Sequence, residues 1–513
     1  MKLLIVLAIA LAPICLGQEK SLPKFPEPEV VLKSMKKATA FYRSNLSIAG
    51  GYASTWSRDL KQSKTESSTG TALISIQPHG TTTVGLAMLR AHAITDDPLF
   101  LQAAKEAADA LAWCQLSSGG WGSEFDFKLG AARKMHFRRD LLAGDILLGK
   151  RYAPSTLDDN KTQSAIRFLM EFSEPPEALA FAWSGLLAAQ ASNGGWPQRF
   201  SGPADPTLPV EKASYPQEWP RTFPSVDYTI HYALNDNNLE HLMDILLAAH
   251  RQENMKSSRF LDAAKQLGDF LLLAQMPEPQ PAWAQQYNQE MHPAWARKFE
   301  PPSVCSIESV GAMRTLIEIW LVTGEEKYIA PLPAALKWFE RSELESEEDT
   351  WSRFYELQTN KPLYCQAETY EIIYDDANLP THYGFKVSGS MARTLEKIGE
   401  IISQSRDENL AKRERDSRDP DSEKGWSEEA CDLASKARGV LKSQKKEGYW
   451  INKDNQIDAG EFVKSMARLT EYFEAATHGG ETFAAVRKKE AAKEAVIKKA
   501  AAEKKAAAAA EQK

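Results

Sequence analysis

Apolar residues recur along most of the chain with a helical period near 3.6, and no sustained apolar–polar alternation interrupts them. Val84, Met88 and Ala91 mark one helical face, opened by Thr81-Thr82-Thr83 and followed by a turn at Asp96-Asp97-Pro98. Leu101, Ala104, Ala108 and Leu111 mark the next, which ends in Gln115-Leu116-Ser117-Ser118-Gly119-Gly120-Trp121. The same unit returns one repeat later. Thr162 opens Ile166, Leu169 and Met170, Pro175-Pro176 breaks the run, and the second helix ends in Gln190-Ala191-Ser192-Asn193-Gly194-Gly195-Trp196. A repeated pair of helices that cannot bury its apolar face alone predicts an array of hairpins stacked on one another.

Later pairs keep the hairpin without the Gly-Gly-Trp signature. Leu239, Leu242, Met243 and Leu246 pair with Leu261, Ala264, Leu267 and Leu271; Val310, Met313, Ile317 and Trp320 pair with residues 328–339. Met391, Leu395, Ile398 and Ile402 are expected to pair with a helix at 434–441 across a charged loop at 411–424, and Phe462, Met466, Leu469 and Tyr472 form a last helix. Such hairpins either open into a solenoid or close into an α/α toroid. The long Pro- and Trp-rich loops at 199–224, 276–302 and 353–385 fit the ligand-bearing mouth of a toroid, so an all-α, α/α-toroid domain is expected over residues 30–478.

With 513 residues, 43% hydrophobic and 26% charged, the chain is long enough for one large core. The net charge of −7 argues against nucleic acid as a partner, and no stretch of the body reaches the ~20 apolar residues of a membrane span. Leu3 to Leu16, after Met1-Lys2 and before Gly17, reads as a signal peptide over residues 1–17, so export to a periplasmic or extracellular space is expected. Ile14 before Cys15 argues against a lipoprotein anchor. Cys114, Cys305, Cys365 and Cys431 read as buried thiols, with one disulfide left open. Residues 487–513 form an Ala/Lys/Glu tail with nine basic residues against four Glu, read as a solvated helical or disordered segment.

Candidate chemistry falls in the loops and at helix starts. Asp158-Asp159-Asn160 and Asn235-Asp236-Asn237-Asn238 open corresponding hairpins, where Asp and Asn serve either as helix caps or, converging at one mouth, as oxygen ligands of a hard cation such as Ca²⁺. Arg297, Arg314 and Arg353 lie in or after aromatic-proline loops and suit carboxylate or sugar recognition, or else pair with Glu300 or Glu356 as scaffold. The segment Asn452 to Gly460 fails the EF-hand pattern for want of its sixth-position Gly and closing Glu. No HExxH, Gly-x-Ser-x-Gly or Walker pattern occurs.

In order along the chain, Leu157-Asp158-Asp159, Arg167-Phe168-Leu169, Asn193-Gly194-Gly195-Trp196-Pro197-Gln198, Asn235-Asp236, Trp295 to Ser303, Glu308-Ser309-Val310-Gly311 and Arg353-Phe354-Tyr355-Glu356 resemble the motifs of the family 10 polysaccharide lyases, the pectate lyases. The resemblance covers residues 152–384. It implies an α/α toroid that cleaves polygalacturonate, an anionic polysaccharide, by Ca²⁺-assisted β-elimination; a monomer is expected, without a sequence feature that fixes it. It further implies Asp158 and Asp236 at the Ca²⁺ site with Asp159 where the family has Asn, Arg297 as catalytic base, and Arg314 and Arg353 as substrate contacts. A base of this kind needs a lowered pKa, so an alkaline optimum is expected. Ala367 stands where the family has a second substrate arginine, and the N-terminal hairpin lies outside the resemblance. The alternative is an altered toroid that binds such a polymer without cleaving it. The Gln-x₃-Gly-x-Trp ties also resemble those of terpene cyclases, whose Asp-x-Asp-Asp motif is absent because position 156 is Thr156.

Overall fold

In the computed structural model, which describes residues 22–511 except Glu174, Asn254, Ser257 and Ser346, the first four expected hairpins are present. Residues 1–17, read as a signal peptide, lie outside the described residues. The chain forms two compact units, the larger made of Met35–Asp419 and Lys445–Thr470. Among its helices are α1 (Thr81–Thr95), α2 (Pro98–Cys114), α3 (Lys161–Phe172), α4 (Pro176–Ala188), α5 (Asn238–Gln252), α6 (Arg259–Ala274), α7 (Ser306–Thr323), α8 (Leu332–Ser342), α9 (Ser390–Ser403) and α10 (Arg406–Ser417). The odd-numbered helices α1, α3, α5, α7 and α9 pack each on the next as an inner layer, and α2, α4, α6 and α8 pack on their own partners outside it. This succession of inner and outer helices is the all-α, α/α-toroid class.

Local chemistry explains the elements. Asp97 caps α2 by accepting the Leu99 N–H at 3.0 Å, with Pro98 at the first helical position where its missing N–H costs nothing. Val84, Met88 and Leu111 are fully buried, whereas Leu101, expected in the core, is exposed, and Phe100 fills that place.

The repeated Gln ties each hairpin to the next, and the repeated Trp ties the following turn back to its own helix. Gln115 Nε2 donates to the carbonyls of Gly119 (2.7 Å) and Ala178 (2.8 Å), and Gln190 Nε2 to those of Gly194 and Ala263 (both 3.0 Å). The indoles of Trp121 and Trp196 donate to Leu111 and Leu186 carbonyls at 2.9 and 2.8 Å. The tie continues where the sequence signature ends: Gln275 donates to Pro281 and Pro331 carbonyls, and Trp283 to Leu271. Gly194 has φ +90°, and a Cβ there would sit 2.0 Å from the Gln266 carbonyl oxygen of α6. Gly50 repeats this against Glu106 of α2, so Gly50-Gly51-Tyr52 is an earlier copy of the motif.

Two expectations are corrected. The charged segment 411–424 is not a loop: Arg406–Ser417 is helical, begun by a capping box in which Ser405 and Glu408 satisfy each other's backbone N–H, and held by a bidentate Arg413–Glu318 pair at 2.7 and 2.5 Å. The helix Glu423–Ser443, expected to pair with α9, packs instead on the long helix Gly480–Glu511 within the smaller unit. Short strands also line the loops, among them an antiparallel sheet in the order Val304–Cys305, Phe354–Tyr355, Pro362–Cys365, Ile372–Ile373. Strands of two to four residues are too short to show period-2 patterning.

The smaller unit comprises the segment up to Ser34, Pro420–Gln444 and the segment from Glu471. There the tail is helical, with Glu490 paired to Lys24 at 3.2 Å and Arg487 paired to Glu27. The four thiols are free. No described helix is long and apolar enough to cross a membrane.

Candidate active site

The two acidic turns come together. Asp158–Asn160 and Asn235–Asn237 each form one tight turn ahead of α3 and α5, and each holds two successive residues in the left-handed region: Asp159 (φ 48°) and Asn160 (φ 61°), Asp236 (φ 55°) and Asn237 (φ 57°). Asp and Asn tolerate that conformation better than most side chains. The turns do not act as caps, since neither Asn160 nor Asn237 makes a side-chain bond to its helix. Instead Asp158, Asp159 and Asp236 each bring a carboxylate oxygen within 4.8 Å of the others. Burial raises the Asp236 pKa, Asn235 opposes this as a hydrogen-bond donor at 2.7 Å, and repulsion from Asp159 and Asp158 adds to the rise. Three carboxylates held this close favour a cation between them.

A cation of the chain itself already touches them. Lys161, the first residue of α3, has a side chain only 2% exposed, and its Nζ lies 3.2 Å from both Asp158 and Asp159 and 3.4 Å from Glu66. Burial disfavours its charge, but Asp158, Asp159 and Glu66 outweigh burial and raise its pKa. Gln198 donates to Asp158 at 3.0 Å and Gln77 to Asp159 at 3.2 Å, while the Oε1 atoms of both amides are buried without a partner. Amide O and N exchange by a flip, so the cluster holds carbonyl oxygens as well as carboxylates, the donor set a hard cation takes. The residues fit Ca²⁺.

Arg297 lines the same cavity, of about 260 Å³, as the three aspartates. Glu300, buried, holds its guanidinium bidentately at 2.9 and 2.5 Å and also accepts the Arg297 backbone N–H at 3.0 Å and the Tyr383 hydroxyl at 2.8 Å. Burial works against the Arg297 charge, but the Glu300 carboxylate overcomes it and raises the pKa above the ordinary arginine value. The lowered pKa expected for a base is therefore not what the resting pair provides.

Residues 147–350 match the family model described as Pectic acid lyase. The resemblance to family 10 polysaccharide lyases thus holds for the stretch that carries the three aspartates and Arg297. No curated protein sequence matches the chain. Among solved structures, a family 10 polysaccharide lyase from Cellvibrio cellulosa is 20% identical, covering 63% of this chain and 98% of its own, with a TM-score of 0.42. A mutant of it in complex with trigalaturonic acid scores 0.41 at the same identity, with 63% and 99% covered. A D-mannose isomerase is 12% identical over 87% of this chain and 98% of its own, with a TM-score of 0.42.

Within this pectic-acid-lyase-like region the other two arginines are placed differently. Arg353 is mostly buried, stacks 4.5 Å from the Tyr383 ring centre and meets Glu308 at 3.4 Å, whereas Glu356 pairs with Arg221 instead. Arg314, half exposed on α7, pairs with Glu240 of α5 and does not line the aspartate cavity. Ala367 holds its place by a backbone bond from its N–H to the Asn378 carbonyl at 2.9 Å. Lys161, Glu66 and Gln77 are the site residues that sequence reading missed; Glu66 and Gln77 lie far upstream of the motifs, and Lys161 looks like any first-turn lysine.

Glu308, fully buried on α7, has its pKa pushed up to about 8 by burial, with Arg353 opposing and Asp236 and Glu300 adding. A carboxyl raised in the folded state binds its proton more tightly there than in the unfolded chain. Its contribution to stability is therefore lost as pH rises from the ordinary glutamate range towards 8. Glu308→Gln is expected to melt with the wild type near pH 5 and above it at pH 9, measured by scanning calorimetry across pH. Parallel melting curves for the two proteins at every pH would refute the shift.

Proposed function

We propose that the protein is an exported, Ca²⁺-dependent lyase that cleaves polygalacturonate-like uronans by β-elimination. The observation that carries this reading is the convergence of Asp158, Asp159, Asp236 and Arg297 on one cavity, inside the stretch that matches the pectic acid lyase family. Asp158, Asp159 and Asp236 would hold the ion; when bound, Ca²⁺ supplies positive charge to the uronate carboxylate and so acidifies the adjacent C5 proton. Arg297 takes that proton, the C4–O bond to the leaving sugar breaks, a C4=C5 double bond forms, and the leaving oxygen takes a proton from solvent water, whose hydroxide later recovers the proton held by Arg297. A base must be neutral, so Arg297 has to part from Glu300 before it acts. Arg353, presented from its loop against Tyr383, orients the neighbouring carboxylate.

A second reading, polymer binding without cleavage, is favoured by Lys161 inside the aspartate cluster and by the Arg297–Glu300 pair. Ultraviolet absorbance of polygalacturonate incubated with the protein at alkaline pH separates the two. A rise from unsaturated uronides that needs Ca²⁺ and vanishes with a chelator is the expected result. A flat trace on polygalacturonate and on other pectic polymers, with retention of the polymer, would replace the lyase by the binder.

A further inference from the structure

Beside Arg297 lies a second cavity, of about 550 Å³, whose lining includes Arg221, Lys298, Tyr370, Tyr374 and Ile372. It adjoins the first through the chain itself, because Lys298 follows Arg297. It also adjoins through stacked rings: the Arg297 guanidinium lies 4.9 Å from the Phe299 ring centre, and Phe299 packs on Tyr370 at 5.7 Å. Lys298 is exposed, its ammonium 4.0 Å from the Tyr370 ring centre, and among the described residues it has no carboxylate within ion-pair distance. Arg221 stacks on Trp219 at 3.8 Å and gives Nη1 to Glu356 at 2.5 Å, so its charge is partly met while its Nη2 makes no bond among the described residues. Glu371 is the one acid in the lining. Tyr370 is held at φ +59°, a conformation that an aromatic residue keeps only where the surroundings enforce it.

We propose that this cavity binds a uronate sugar of the polymer one or more residues away from the bond that is cleaved. The chemistry matches such a sugar at both ends: an ammonium without an ion-pair partner among the described residues and a partly free guanidinium for its carboxylate, and tyrosine faces for the apolar C–H face of its ring. The inference rests on the uronan reading and adds a specificity site to it. Because Lys298 of this cavity directly follows Arg297 of the first, a polymer long enough to span both makes the second contact as an intramolecular event, which raises effective affinity.

The test is kcat/KM for oligogalacturonates from three to eight sugars, for wild type, Lys298→Met and Lys298→Arg. Wild type is expected to gain at least about tenfold with length, Lys298→Met to lose about tenfold of that gain, and Lys298→Arg to restore most of it. A length gain unchanged in Lys298→Met overturns the proposal and leaves the lyase reading standing. If wild type cleaves none of them, the lyase reading fails, and calorimetric binding of hexagalacturonate decides the cavity alone. Binding about tenfold weaker in Lys298→Met supports it, and equal affinity overturns it.

Discussion

Arg297→Ala is expected to lower kcat on polygalacturonate by at least about a hundredfold, since a positioned proton acceptor contributes about 10²–10⁴ and this side chain lines the cavity with the three aspartates. Thermal unfolding separates chemistry from folding. Stripping a fully buried carboxylate of its cation costs about 3–5 kcal/mol, and less here because Arg297 is about half exposed and the Tyr383 hydroxyl and a backbone N–H still serve Glu300. A cooperative transition at a modestly lower temperature, with oligogalacturonate affinity within about tenfold of wild type, is the expected accompaniment. Arg297→Lys keeps the charge without the bidentate fork and is expected to recover stability in part and turnover hardly at all. The pH profile bears on the same role: Glu300 holds Arg297 in its charged form, so kcat/KM should climb into the alkaline range. A kcat within tenfold of wild type in Arg297→Ala, or a rate plateau near neutral pH in wild type, would assign the proton to another group.

Asp236→Ala is expected to weaken Ca²⁺ binding by at least about a hundredfold, with loss of the Ca²⁺-dependent part of the activity. Asp236 supplies the only carboxylate of the second acidic turn to the cluster, and the Asp158 and Asp159 carboxylates left behind already share the Lys161 ammonium. The opposite change tests the same electrostatics. Lys161→Met removes a positive charge about 3 Å from two of the three ligands and is expected to tighten Ca²⁺ binding. Calorimetric titration with Ca²⁺ alone reads both variants without reference to turnover. Unaltered affinity in Asp236→Ala would take that residue out of the site; weaker binding in Lys161→Met would mean that the ammonium orients the carboxylates rather than competing with the ion.

The hairpins were legible because each helix repeats its apolar face every 3.6 residues over three turns or more, and because Gln115, Trp121, Gln190 and Trp196 carry the same tie at the same place in two units. Where the tie is made by Gln275 and Trp283 with Pro281 in place of glycine, the bonds persist and the letters do not. A polar helix such as α10 escapes notice for the same reason: its order comes from a capping box and an ion pair to α7, neither of which leaves an apolar period.

The candidate site divides along similar lines. Asp158, Asp159, Asp236 and Arg297 sit in motifs that could be named from the chain, and corresponding hairpin positions were enough to suggest that the two acidic turns meet. Sequence by itself determined the periodicity, the ties and the residue types at the mouth, because these depend on near neighbours along the chain. Tertiary structure alone decided that Lys161 and Glu66 enter the aspartate cluster, that Glu300 rather than solvent holds Arg297, that Arg314 turns to Glu240, and that Lys298 lines a cavity with no carboxylate within ion-pair distance of it among the described residues. Glu66 reaching Lys161 and Arg314 reaching Glu240 depend on which side chains of distant segments come within the same few ångströms, and even the near pairs Lys161–Asp158 and Arg297–Glu300 depend on how the fold turns and buries them. A charge's partner is chosen by distance and burial, not by its place in the sequence.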